Sequence, residues 1–390
     1  MNKLSACMVA TFLIAGSLAI SSCQPGKENP PMPTPPQKYA WTDFCMGVDL
    51  SYVNQLETNG AQFRDSNKVK DPFTIFSDHG SNTVRVRLWH TPDWQLPVTG
   101  GKIYSDLLDV EKTIRRAKQN GMAVNLDIHY SDDWADPQKQ LPPKAWNGLA
   151  LNVLKDSVYN YTLSVLNYLK SKDCVPEMVQ VGNENNPGML FPEGKVVNGN
   201  FSNFAVLLNS GIKAVRDFSA NSTIKPKIIL HVAQLQDAAW WTKGVITTAG
   251  VNDFDIIGLS HYCKWSQVNS FNAIRDTIRN LVNTYGKTVM VVETAYPFTG
   301  DNYDTYNNLF GPTDTVAGYP KTPEGQLSYM KALVQAIKDG GGKGIMYWEP
   351  AWITSPMKDR WGTGSSWENN ALFDRTGNAL PALDYQRPIK

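Results

Sequence analysis

From Trp41 onward, apolar runs of four to six residues alternate with longer segments whose apolar positions recur every three or four residues. The short runs are Met46–Asp49, Thr83–Leu88, Ala123–Ile128, Met178–Val181, Lys227–Leu230, Ile256–Ser260, Thr288–Val292 and Gly344–Tyr347. Being rich in β-branched residues and bounded by Gly, Asn and Pro, they read as strands buried on both faces. Between them, Leu107–Asn120 places Leu108, Ile114 and Ala117 at helical spacing, with Gly121 where a C-terminal stop belongs. Leu151–Lys170 repeats Val158, Leu163, Leu166 and Leu169, and Phe204–Phe218, Phe271–Tyr285 and Pro323–Asp339 behave likewise. Pro323 suits a first helical turn, and Gly340 is expected to close that helix. After the eighth run, Trp361–Asn370 reads as a long loop without a periodic face. Strand–helix alternation predicts βαβ units and a parallel sheet. Eight such strands predict an α/β fold closed as a (β/α)8 TIM barrel, in one domain over residues 41–390.

Residues 1–40 lie outside this pattern. Lys3 followed by the apolar stretch Cys7–Ile20, too short for a comfortable membrane span, predicts a signal peptide over residues 1–22. Ile20-Ser21-Ser22-Cys23 resembles the lipobox of bacterial lipoproteins, which implies cleavage before Cys23 and lipidation of its thiol. An ordinary signal peptide with an incidental cysteine is the alternative. Residues 23–40 are rich in proline and polar side chains and read as an extended tether. The expected location is the cell envelope, with a membrane anchor at Cys23 facing either the outer surface or the periplasm. A formal net charge of +1 and the lack of any Lys/Arg block argue against a nucleic-acid partner. Cys45, Cys174 and Cys263 show neither paired nor metal-type spacing and read as buried thiols.

In a parallel barrel, residues at the carboxyl ends of the strands meet around one cleft. Glu184 follows the Met178 run and Glu293 follows the Val289 run, each a few residues before a proline. Two carboxylates so placed match glycosidic bond cleavage, which needs a general acid and a nucleophile or base. Other strand ends bring Asp49, Arg85, Trp89, His129, Asp132, Trp134, Asn183, His231, Tyr262, Trp265, Trp348 and Trp352. With 12 Trp and 16 Tyr, many of them in apparent loops, aromatic faces are available as platforms for the C–H faces of sugars. Trp89, Trp134, Trp265 and Trp352 are expected to serve so, and Asp49, Asp132 and Asp136 to bond sugar hydroxyls. Each residue alone has a plainer role: Arg85 as a buried ion-pair partner, His129 and His231 as satisfied histidines, Trp348 as core.

Three segments carry a family resemblance: Asp127-Ile128-His129-Tyr130-Ser131-Asp132-Asp133-Trp134-Ala135-Asp136-Pro137, Val181-Gly182-Asn183-Glu184 and Tyr347-Trp348-Glu349-Pro350-Ala351-Trp352. Together with Glu293 they resemble glycoside hydrolase family 53, the arabinogalactan endo-β-1,4-galactanases of clan A, from about Met46 to Asp384. The resemblance implies hydrolysis of β-1,4-galactan with retention, Glu184 as acid/base and Glu293 as nucleophile, and no cofactor for catalysis. It also implies that Arg85, His129, Asn183 and Tyr262 surround the reacting galactose. The sixth strand end, His261-Tyr262-Cys263-Lys264-Trp265, departs from the more aromatic family pattern and bears on the outer subsites. Bacterial relatives are similar in holding a structural calcium near the loop that follows Glu293. Here that loop offers Asp301, Asp304 and Asn307, hard oxygen donors that suit the ion, with solvated turn residues as the alternative. Other open readings are a clan A endo-glycanase acting on mannan or β-glucan, and a surface lipoprotein that binds glycans without cutting them.

Overall fold

The computed structural model describes residues 39–387; the expected signal peptide, the expected tether up to Lys38 and the expected lipidation at Cys23 lie outside the described residues. Eight parallel strands close a barrel: β1 (Cys45–Asp49), β2 (Thr83–Leu88), β3 (Ala123–Ile128), β4 (Met178–Val181), β5 (Lys227–Ala233), β6 (Ile256–Tyr262), β7 (Thr288–Ala295) and β8 (Gly344–Tyr347). Each strand pairs with its sequence neighbours, and β8 pairs with β1 to close the ring.

The helices are α1 (Val53–Thr58), α2 (Pro72–Asp78), α3 (Leu107–Gln119), α4 (Leu151–Ser171), α5 (Ser202–Ala220), α6 (Leu235–Thr242), α7 (Phe271–Tyr285) and α8 (Pro323–Asp339). Their starts are set chemically: the side chains of Asp71, Asp106, Ser270 and Thr322 accept first-turn backbone N–H groups. Three of these helices, α1, α2 and α6, have no counterpart among the segments predicted from periodicity, because six to eight residues hold too few turns for a repeat to stand out. At the end of α8, Gly340 keeps a right-handed φ of −76°; the left-handed residue is Gly341, at +85°. Among the described residues after β8, the helical pieces are short 3₁₀ turns at Glu368–Asn370 and Pro381–Gln386, and isolated bridges join Lys358 to Thr363 and Phe373 to Ala379, so the segment read as a loop is one.

The side chains inside the barrel form two layers. Cys45, Ala123, Met178, Ile229, Ile256, Met290, Val292 and Met346 fill the lower part as an apolar plug. Above it lie Asp49, Arg85, Asp127, Gln180, His231 and Ser260, all buried, with Glu293 at the same level. Three strands run past their predicted ends: β5 to Ala233, β6 to Tyr262 and β7 to Ala295. Each extension opens on a polar residue, His231, His261 or Glu293, that looks like a strand end in sequence, yet backbone pairing continues beyond it. Cys45, Cys174 and Cys263 are buried free thiols, as expected. Among the described residues, no helix is long and apolar enough to cross a membrane.

Candidate active site

Glu293 owes its position to an irregularity in β7. Opposite β6, Leu259 pairs with Val291 but Ser260 pairs with Glu293, so β7 carries one extra residue at this point. Such a bulge breaks the strict alternation of faces. Val292 joins the apolar plug while Glu293, next to it, also turns toward the barrel axis and meets Arg85.

Glu184 is placed by a tight turn after β4. Gly182 has φ +81°, and a Cβ there would stand 2.5 Å from Asn185 Oδ1, so only glycine fits. Glu184 itself holds φ +45°, a conformation that costs a non-glycine residue about 1–3 kcal/mol and concentrates at functional sites. Its backbone N–H donates to His231 Nδ1 at 3.2 Å, which leaves the His231 proton on Nε2. That nitrogen is 2.9 Å from Ser260 Oγ, and Ser260 donates to Glu184 Oε1 at 2.6 Å. Burial and the neighbouring Arg85 push His231 well below its ordinary pKa, consistent with a neutral ring.

Arg85 organises the other side. Nη1 donates to Asp49 at 2.7 Å, and Nη2 lies 2.8 Å from Asp127, 2.8 Å from Asn183 Oδ1 and 2.7 Å from Glu293 Oε1. Tyr262 donates its phenolic proton to Glu293 Oε2 at 2.9 Å. Asn183 is locked by donating to the Ala135 carbonyl at 2.8 Å, and its amide has a second N–H. His129 bonds Asp127 at 2.9 Å and accepts from Ala135 N at 3.2 Å, so it braces the loop after β3.

The two glutamates are electrostatically unequal. Burial first, and then the charge of Glu293, raises Glu184 well above the usual carboxylate range. Burial, opposed by Arg85 and the Tyr262 hydrogen bond, leaves Glu293 raised to about 7. When the pair carries one proton, that proton therefore resides on Glu184 and the charge on Glu293. One oxygen of each glutamate and a ring nitrogen of His231 lie within 4.8 Å of one another. As a metal site the set fits poorly: both His231 nitrogens are hydrogen-bonded, and a guanidinium already sits on Glu293.

The cleft above these groups has a volume of about 770 Å³ and is lined by Arg85, His129, Asn183, Tyr262, Trp134, Trp265, Trp348 and Trp352, besides both glutamates. Neighbouring rings are set at steep angles: Trp348 stands at 70° to Trp352 and 87° to Trp367, and Tyr262 at 81° to Trp265. Four expected contact residues lie elsewhere. Asp49 is buried beneath the cleft, bonded to Arg85 and Ser51. His231 is buried behind Glu184. Asp132 accepts from Thr91 N and Lys144 N, tying loops together outside the cleft. Trp89 is 1 % exposed and packs behind Trp134 at 5.2 Å, where both rings enclose the Arg87 guanidinium. Arg87 also pairs with buried Glu349 at 3.3 Å. Sequence reasoning missed Gln180 and Ser260, which carry no motif, and the cleft residues Tyr306 and Trp367, which reach it from long loops.

A parallel eight-stranded barrel with two such carboxylates at its carboxyl end, bedded among angled aromatic rings, defines a glycoside hydrolase of the two-glutamate, retaining type. The comparisons agree. The profile described as Glycosyl hydrolase family 53 matches residues 45–385. An arabinogalactan endo-beta-1,4-galactanase of Cellvibrio japonicus is 46% identical over 355 residues, covering 88% of this chain and 92% of that protein. The endo-beta-1,4-galactanase of Bacillus subtilis is 32% identical, covering 87% and 85%. Among solved structures, the Ignisphaera aggregans GH53 catalytic domain superposes with a TM-score of 0.80 at 36% identity, covering 92% of this chain and 99% of that one. The chain belongs to glycosyl hydrolase family 53.

Proposed function

We propose that the protein hydrolyses internal β-1,4-galactosidic bonds of pectic galactan and arabinogalactan with retention of configuration. The observation that carries this is the approach of Glu184 and Glu293, whose nearest oxygens lie within 4.8 Å. Retaining enzymes hold their carboxyl groups about 5–5.5 Å apart, whereas inverting ones need roughly 6.5–9.5 Å to admit a water. In the first step Glu293 attacks the anomeric carbon and an ester bond forms. The glycosidic bond breaks as Glu184 gives its proton to the departing oxygen. In the second step Glu184 takes a proton from water, and the resulting hydroxide cleaves the ester. Arg85 and Tyr262 keep Glu293 charged for attack, and the second N–H of Asn183 is available to a hydroxyl of the reacting sugar.

Galactose differs from glucose by an axial C4 hydroxyl, so a β-1,4-galactan chain bends, and platforms set at steep angles suit a bent chain better than a flat one. The test is product analysis on galactan, mannan and a cellulose-like β-glucan side by side. Short galacto-oligosaccharides from galactan alone, with a β-anomer formed first, are expected; equal rates on galactan and β-glucan would overturn the specificity. A glycan-binding protein without catalysis has no need of either glutamate, still less of the bulge and the strained turn that aim them.

Two further parts of the reading concern other regions. Cleavage before Cys23 and lipidation of its thiol would tether the enzyme to the cell envelope; radiolabelled palmitate that fails to enter the wild type would exclude it. A structural calcium would sit in the loop after β7. Of the expected ligands, Asp301 and Asn307 are exposed, and the Asp304 carboxylate is filled by Tyr306 N, Thr354 Oγ1 and Ser365 N. Instead, the Asp301 carbonyl, Asn302 Oδ1 and Glu368 Oε1 converge on the Asn308 amide, and Glu368 Oε2 is buried without a partner. Asp301, Asn302 and Glu368 are therefore the residues that would hold the ion, in the place the Asn308 N–H groups now fill, and it would supply a loop brace and no chemistry. A chelator that leaves the melting temperature unchanged would remove calcium from the reading.

A further inference from the structure

Helix α6 begins where β5 ends, at the rim of the cleft. Leu235, Ala238 and Trp241 bury one side of it, and Trp241 Nε1 donates to the Asn185 carbonyl at 2.9 Å. The other side carries Gln236 and Trp240, one turn apart and so one above the other. Gln236 Nε2 donates to the carbonyl of Trp265 at 3.3 Å, and Gln236 Oε1 accepts from Gln267 N at 3.2 Å. Trp265 lines the cleft and is 42 % exposed; Trp240 is 50 % exposed. Residues four apart share one helix face, so Trp240 stands one turn on from Gln236, farther along α6 from the cleft. Trp265, Gln236 and Trp240 form a strip continuous with the cleft.

Trp240 is built in place. Phe201, itself buried, lies against it with ring centroids 5.3 Å apart at 53°. Phe201 fits there only because residue 244 is glycine, since a Cβ at that position would stand 2.2 Å from its Cζ. The backbone at Lys243–Thr248 widens into a π-helical turn, a distortion frequent at functional sites. The packing holds one side of the indole and leaves the rest to water, although burying apolar area would be favourable.

We propose that this strip is an external binding stretch for the part of a galactan chain that leaves the cleft at its β5–β6 end. Trp240 offers a ring face to a sugar's C–H face, and the Gln236 amide meets a hydroxyl. The proposal rests on the galactan reading given above. A single indole beside polar Gln236 and Lys243 is too small an apolar area for a protein partner, and its continuity with the cleft points to the substrate.

The experiment compares long galactan with a β-1,4-galacto-oligosaccharide too short to reach α6, using the wild type, Trp240→Ala and Trp240→Tyr. Trp41→Ala serves as control, because Trp41 is also exposed but precedes β1 at the opposite end of the barrel. On the polymer, Trp240→Ala should raise KM on the order of fivefold, the effect of losing one buried ring face, with kcat unchanged. Trp240→Tyr should restore most of the loss, and Trp41→Ala should match the wild type. On the short substrate all variants should behave alike. Unchanged KM on the polymer, or the same rise on both substrates, overturns the strip alone. A wild type that leaves galactan uncut overturns the functional reading as well.

Discussion

Arg85 Nη2 and Glu293 Oε1 lie 2.7 Å apart in the upper layer of the barrel, and Arg85 is 1 % exposed. The same guanidinium holds Asp49, Asp127 and Asn183, so one side chain from β2 sets groups from β1, β3, β7 and the turn after β4. A planar fork can satisfy that many oxygens at once, and an ammonium cannot. Arg85→Lys should therefore lower kcat by about 100-fold or more, comparable to removing a preorganised charge-stabilising donor. Arg85→Ala should also destabilise the fold by about 3–5 kcal/mol, because buried carboxylates lose their partner. Steady-state kinetics and urea denaturation check the two effects separately.

The glutamates should be separable by chemical rescue. Glu293→Ala should abolish turnover on every substrate, since no other group forms the glycosyl ester. Glu184→Ala should retain the first step on an aryl galactoside whose leaving group needs no proton, and azide should then accelerate the second. Identical behaviour of both variants, or failure of azide with Glu184→Ala, would reverse or remove the assignment.

The pH profile should be bell-shaped, because turnover requires Glu293 charged and Glu184 protonated. The acid limb follows Glu293, which burial raises to about 7 against the lowering effect of the Tyr262 hydrogen bond. Tyr262→Phe removes a bond made to the charged form. The acid limb of kcat/KM should therefore move to higher pH, with the basic limb, set by Glu184, little changed. An unmoved acid limb would show that Tyr262 does not act through Glu293.

Glu184 should also cost stability. Its folded pKa is raised by burial, so the folded state binds more protons than the unfolded one once pH exceeds the ordinary carboxylate value. Stability from this group is complete below that value and is lost as pH rises toward the folded pKa. Glu184→Gln removes the titration, so thermal melts should show the variant gaining on the wild type as pH rises above the ordinary carboxylate value. A difference that stays constant as pH rises would contradict the raised pKa.

The barrel was legible in the sequence because two-faced burial leaves β-branched runs that end where Gly, Asn or a charged residue intervenes. Thr83–Leu88, Ala123–Ile128, Met178–Val181 and Gly344–Tyr347 coincide with the observed strands. Both glutamates were legible for the same reason: each sits where such a run breaks. Local sequence could not show how side chains distribute around a closed ring. Trp89 and Trp134 are both tryptophans near strand ends, yet one packs on Arg87 behind the cleft and the other lines it. Ser260 and Gln180 became site residues only through contacts with His231, Glu184 and Asp127, which come from other strands. The sequence determined the eight-stranded barrel and pointed to two carboxylates at its strand ends, because burial periodicity and residue chemistry are local properties. Which polar groups brace those carboxylates, which aromatics face the substrate, and where the proton resides were decided by the tertiary structure, because hydrogen bonding and desolvation depend on neighbours distant in the chain.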